Sequence, residues 1–180
     1  FYFTGNAANN NGGTSGDRIY GSSFTMEAAA GERELTVAME DGWNMISINV
    51  MVYEEFYADE DDEGPNVILM TEQLRIDEDT HNVILMKDES GNFYSPEFGF
   101  SNIPYWDITT GYLVKLREEA EAVWEGEPIP FDAEIPMGAG WNYIAYFPTF
   151  ELDASAPDFY VLSPVIDNIL VAKDAAGNFM

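Results

Sequence analysis

Carboxylates are the residues of this chain best suited to chemistry. Asp59, Glu60, Asp61, Asp62 and Glu63 follow one another and are closed by Gly64. Calcium takes about six to eight oxygen ligands, and flexible acidic loops supply them. Acidic residues at the first, third and fifth positions with glycine at the sixth match the start of an EF-hand loop, but Met70 stands at the twelfth, where a bidentate glutamate is needed. Carboxylates from a nearby loop could complete a site. The candidate calcium ligands are therefore Asp59, Asp61, Asp62, Glu63, Asp77 and Asp79, with a merely solvated acidic loop as the favoured reading.

Aromatic residues offer a second kind of chemistry, the stacking of sugars. Trp43 and Trp141 recur at equivalent places in a repeated phrase and at strand starts, which assigns them to the core. Tyr105 and Trp106, in a Pro-Tyr-Trp-Asp turn, are the better candidates for an exposed sugar-binding pair, with core or interface packing as the favoured reading. Catalytic signals are weak. His81 is the only histidine and cysteine is absent, so no thiolate metal site or disulfide can form and any Ser-His pair would need this one side chain. Among 33 acidic residues a pair at glycosidase spacing arises by chance. Gly12, Gly13 and Gly16 lack the Lys-Ser/Thr ending of a phosphate loop. No enzyme activity is expected.

The elements that must position these groups come in two copies. Asn-Val-Ile-Leu-Met-Lys-Asp-Glu-Ser-Gly-Asn-Phe, starting at Asn82, returns as Asn-Ile-Leu-Val-Ala-Lys-Asp-Ala-Ala-Gly-Asn-Phe, starting at Asn168. Upstream of each copy lies a Gly-Trp-Asn-x-Ile phrase, at Gly42 and at Gly140. Fixed-period self-similarity marks a duplicated unit. The first unit carries 49 residues from Gly42 to Gly91 and the second 37 from Gly140 to Gly177, and the acidic run falls in the longer interval. The division expected is an arm with strand-like segments over residues 1–38, a complete module over 39–136 and a truncated second module over 137–180.

Alternation of apolar and polar residues predicts strands over 34–39, 43–53, 111–116, 122–126 (pairing with 111–116) and 141–147. A hairpin is predicted over 83–94 with Gly91 at its turn, a second one across residues 28–33, and short helical turns over 65–74, 154–162 and 164–168. The fold class is mainly β: tandem small sandwich-like or barrel-like modules with minor short helices, the second incomplete.

Together Gly-Trp-Asn-x-Ile, Lys-Asp-x-x-Gly-Asn-Phe, Phe-Ser-Asn-Ile-Pro-Tyr-Trp at Phe100 and Gly-Tyr-Leu-Val-Lys at Gly111 resemble a repeat module of secreted marine bacterial proteins of the Bacteroidota type and of cyanophage structural proteins. The likeness covers residues 39–180. It implies a non-catalytic surface or structural role outside the cell, and it supplies no catalytic residues.

Charge narrows the partners. The net charge of −26 opposes binding to nucleic acid or anionic lipid, and no run is long and apolar enough for membrane insertion. The chain begins at Phe1 without a basic and apolar leader, which reads as a processed secreted product. The leading expectation is a structural subunit that polymerises with itself by strand exchange. The N-terminal arm would supply Phe1, Tyr2 and Phe3 to an edge formed by Ile169, Val171 and Phe179 of the second module. A polysaccharide-binding or adhesion module is the alternative, and an acid-pair hydrolase ranks third.

Overall fold

The computed structural model describes residues 31–151, 162 and 164–173. Two antiparallel sheets face one another. The first contains β1 (Arg33–Met39), β3 (Val50–Val52) and β8 (Ala120–Pro128) in the order β1-β8-β3. The second contains β2 (Gly42–Ile46), β4 (Val83–Lys87), β5 (Phe93–Ser95), β6 (Phe100–Ser101) and β7 (Tyr112–Leu116) in the order β2-β7-β4-β5-β6. One short helix, α1 (Val67–Thr71), and a following 3-10 turn (Glu72–Leu74) close one side. Asn66 starts α1 by accepting the Ile68 and Leu69 N–H groups on its side-chain oxygen, as an N-cap does. The mainly-β expectation holds, as do the strand over 34–39, the hairpin over 83–94 and the helical turns over 65–74.

Both sheets feed one core. Met39, Val50, Val52, Ala122 and Trp124 meet Ile46, Val83, Met86, Tyr94, Tyr112, Val114 and Leu116 across it, with Val67, Met70 and Leu74 from the helical side. Trp124 is fully buried and donates its indole N–H to the Met70 carbonyl at 3.1 Å, which fastens the end of α1 to β8. Burial of apolar area at this scale is the main force holding the sheets together.

Several expected strand relations differ. The single strand predicted over 43–53 is two, β2 in one sheet and β3 in the other. Ile48, Asn49 and Val50 are buried in succession, so the two-residue alternation breaks where the chain crosses between sheets. Segment 122–126 forms β8 but pairs with β1 and β3 rather than with β7. The strand assigned to the end of the arm is β1, and it is hydrogen-bonded within the first unit's own sheet from Arg33 to Met39. The predicted hairpin across 28–33 falls in part, and the helical turn over 154–162 for the most part, outside the described residues; the turn near 164–168 is present as a 3-10 turn, Ile166–Asn168.

The predicted strand over 141–147 is the most telling difference, for only an isolated bridge between Thr110 and Ile144 forms there. Likewise no strand is assigned to residues 169–172. One physical cause covers both. In the first unit β7 lies between β2 and β4 and bonds to each, so it is the strand that knits the two repeated phrases together. Among the described residues nothing stands in that place for the second copy.

Candidate functional site

The repeated phrase itself builds the same turn twice. Asn44 accepts the Glu40 N–H on Oδ1 at 3.0 Å and donates Nδ2 to the carbonyls of Glu40 and Gly42 at 2.8 and 3.3 Å. Asn142 accepts the Gly138 N–H at 2.8 Å and donates to the carbonyls of Gly138 and Gly140 at 3.0 and 3.2 Å. Gly42 and Gly140 hold φ of 87° and 109°, a region costly for any residue with a Cβ, which explains the glycine in both phrases. The duplication is thus a structural one at this turn.

Beyond the turn the two copies part. In the first, Ile46 and Ile48 point into the core and Trp43 points out. In the second, the counterparts of Ile46 and Ile48 are Ile144 and Tyr146, which are 40% and 45% exposed, while Ala145 and Phe147 pack into a small cluster with Ile129. The second copy is turned over against the first unit. Gly111 donates its N–H to the Tyr143 carbonyl at 2.7 Å, Ala145 donates to Thr109 at 3.0 Å, and the Glu89 carboxylate accepts the Tyr143 N–H. An apolar strip of Ile144, Tyr146 and Phe150, with Trp141 at its start, is left facing solvent.

The second phrase repeats this contrast. Asn82 is buried and accepts the Arg117 and Glu118 N–H groups on Oδ1, both at 3.0 Å, binding the start of β4 to the end of β7. Its counterpart Asn168 is exposed in a 3-10 turn. Of the expected assembly residues, Ile169 is half-buried and Val171 is exposed, beside a wholly exposed Leu170. Phe1, Tyr2, Phe3 and Phe179 lie outside the described residues.

An open groove of about 790 Å³ runs beside this strip, between β1 at Arg33–Thr36 and the segment carrying Tyr146 and Phe150. Asn49 lines it, donates Nδ2 to the Phe147 carbonyl at 3.3 Å, and has a buried Oδ1 with no partner. Since β1 pairs only with β8 among the described strands, its outer edge borders the groove.

Trp106, the candidate for an exposed sugar-binding face, follows the favoured core reading instead: it is 1% exposed and packs against Tyr112 and Trp124 with ring centroids 4.8 and 5.7 Å away. It cannot stack a sugar. Its partner Tyr105 is half-buried against Gly64, where an added Cβ would lie 2.6 Å from the tyrosine ring. Trp43 and Trp141, expected in the core, are 49% and 64% exposed. Ile46, Ile48, Val50 and Val52 share even numbers, so the pleat places odd-numbered Trp43 on the opposite face. That parity was the available signal.

Residues 59–63 form an exposed loop. The Asp62 carboxylate accepts the N–H groups of Ala58 and Asp59 at 3.1 and 3.0 Å, so it closes its own loop. Asp77 likewise accepts the N–H groups of Asp79 and Thr80 at 2.9 and 2.7 Å, and these bonds hold its carboxyl below the usual range. Asp59, Asp61, Glu63 and Asp79 are exposed, and among the described residues no three acidic or histidine side chains converge.

His81 is 6% exposed, its Nδ1 accepting the Val83 N–H at 3.0 Å and its ring lying edge-on to Tyr94. Burial, and then the charge of Arg75, lower its pKa below 6.5. The unfolded chain therefore takes up the proton first. The contribution of this residue is full above about pH 6.5 and declines as the pH falls from there toward the folded value. Urea midpoints between pH 7 and 5.5 are expected to fall more for the native chain than for His81→Gln. An equal fall in both would show that His81 is not the sensor.

No family model, curated protein or solved structure matches this chain. Among the described residues no helix is long and apolar enough to cross a membrane.

Proposed function

We propose that this chain is a non-enzymatic structural subunit, working outside the cell or at its surface, that assembles with further copies of itself by β-strand addition. The turned-over second copy of the repeat is the observation that carries this reading. Ile144 and Tyr146 occupy repeat positions that are core in the first unit yet face solvent, and among the described residues no β7-like strand stands between the two phrases of the second copy. A strand inserted between residues 140–147 and 169–172 would give both segments the ladder that β7 gives their first copies. His81 supports the non-enzymatic reading, since it is spent on a backbone contact inside the fold.

The donor we assign is the aromatic segment Phe1, Tyr2 and Phe3 of a neighbouring copy. β1 is already paired with β8, so donation is confined to residues ahead of Arg33. Head-to-tail contacts of this kind are heterologous and build filaments unless the rotation closes a ring. Divalent cations such as Ca²⁺ enter as counter-ions that reduce the self-repulsion of a chain of net charge −26. With calcium present, sedimentation velocity is expected to show association that grows with concentration. Replacing Phe1, Tyr2 and Phe3 together by serine is expected to abolish it while far-UV circular dichroism keeps its sheet signal. A native chain that stays monomeric at every concentration, or a serine variant that still polymerises, would overturn the proposal.

A further inference from the structure

The outer face of the five-stranded sheet is chemically unlike the rest of the molecule. The register places Trp43, Lys115 and Leu85 in one cross-strand row, and Met45, Leu113, Lys87 and Phe93 in the next. Not one of these positions is acidic, in a chain where 33 carboxylates face 7 lysines and arginines. Two of the chain's three lysines are here, and their ammonium groups lie 5.3 and 5.8 Å from the Trp43 ring centroid. Ammonium groups within about 6 Å of an indole are attracted to its face.

Arg75 is paired with Glu72 and Arg117 with Glu97, while among the described residues neither Lys87 nor Lys115 has a carboxylate within salt-bridge distance. With acids so abundant, this leaves two cations available for an anion from outside. Phe93 and Phe100, both exposed, pack with ring centroids 5.1 Å apart and planes tilted by 40°, and extend the apolar surface past Lys87. From β2 to β5 the face crosses three strand spacings, about 14 Å, the span of a short oligosaccharide.

We propose that this face binds an acidic oligosaccharide, with the apolar side of one sugar ring on Trp43 and its carboxylate or sulfate between Lys87 and Lys115. Charge complementarity selects an anion, and the exposed flat indole selects a ligand with an apolar ring face. A short glycan also brings fewer charges close to the acidic surface than a second copy of net charge −26 would, and at about 0.15 M salt the remaining repulsion is screened beyond about 8 Å. The site is separate from the strip at Ile144 and Tyr146, so either proposal can fail without the other.

Calorimetric titration of the full chain in about 0.15 M salt, where the Debye length is about 8 Å, would use trigalacturonate, a sulfated carrageenan oligosaccharide, neutral cellotriose and a hexa-aspartate peptide as probes. Saturable binding of the carboxylated or the sulfated sugar is expected, at least about tenfold tighter than cellotriose, a difference of about 1.4 kcal/mol. Trp43→Ala and the pair Lys87→Gln with Lys115→Gln should each weaken it by about tenfold or more, and Lys87→Arg with Lys115→Arg should retain it. Because these side chains lie on the solvent face, the variants are expected to keep the native melting profile. The proposal is overturned if neither acidic sugar saturates, if the weakening variants bind as well as the native chain, or if hexa-aspartate binds as tightly as the sugars, which would mark the face as a protein contact.

Discussion

Gly126→Ala is expected to leave little folded protein. Gly126 pairs with Val52 on one side and Arg33 on the other, so β8 is at its most crowded there. A Cβ at this position would lie 2.1 Å from the Met51 carbonyl oxygen and 3.0 Å from the Val52 Cα. Those are backbone atoms, which no side-chain rotation can move aside. β3 would have to leave β8, exposing Val50 and Val52, which are 0% and 4% exposed in the native chain. A loss of about 4 kcal/mol or more is expected, a large share of the roughly 5–15 kcal/mol that holds a domain of this kind together. Gly138→Ala is the control, since an added Cβ there meets nothing within 4 Å. Chemical denaturation of the two variants checks the contrast, and similar midpoints would show that the approach of β3 to β8 is not as close as described.

Trp106→Ala is expected to cost about 3–5 kcal/mol, while Trp43→Ala costs less than about 1 kcal/mol. Trp106 touches Tyr112 and Trp124, and its backbone N–H donates to the Pro65 carbonyl at 2.7 Å, so it joins both sheets to the end of the acidic loop. Its indole N–H is buried without a partner. Trp106→Phe, which removes that unpaired donor and keeps most of the ring contact, is therefore expected to be far milder than Trp106→Ala. Urea unfolding of the three variants orders them. A Trp43 variant as damaged as Trp106→Ala would contradict the exposure of the first and the burial of the second.

Local features were legible in the sequence because short-range rules decide them. The hairpin from Val83 to Ser95 follows from alternation and from Gly91, whose φ of 88° suits glycine; the start of α1 follows from Asn66. What escaped was set by distant partners. Residues 43–53 read as one strand, yet Ile46 packs beside β7 and Val50 beside β8, and nothing local marks the crossing except three consecutive buried residues. The repeated tryptophan was assigned to the core because it recurs, although the Asn44 and Asn142 bonds show that the conserved pattern of the two copies serves a turn. Among the described residues of the second copy the strand predicted over 141–147 is absent for a reason no local rule contains: a strand needs a neighbour, and β7 serves only the first copy there.

Backbone hydrogen exchange at Asn142, Ile144 and Phe147 and over residues 170–172, followed as protein concentration is raised with calcium present, tests strand addition most directly. Protection of these amides is expected to rise together with concentration and to stay low in the variant with Phe1, Tyr2 and Phe3 replaced by serine, while β4 and β7 are protected throughout. Protection that does not change with concentration would contradict strand addition.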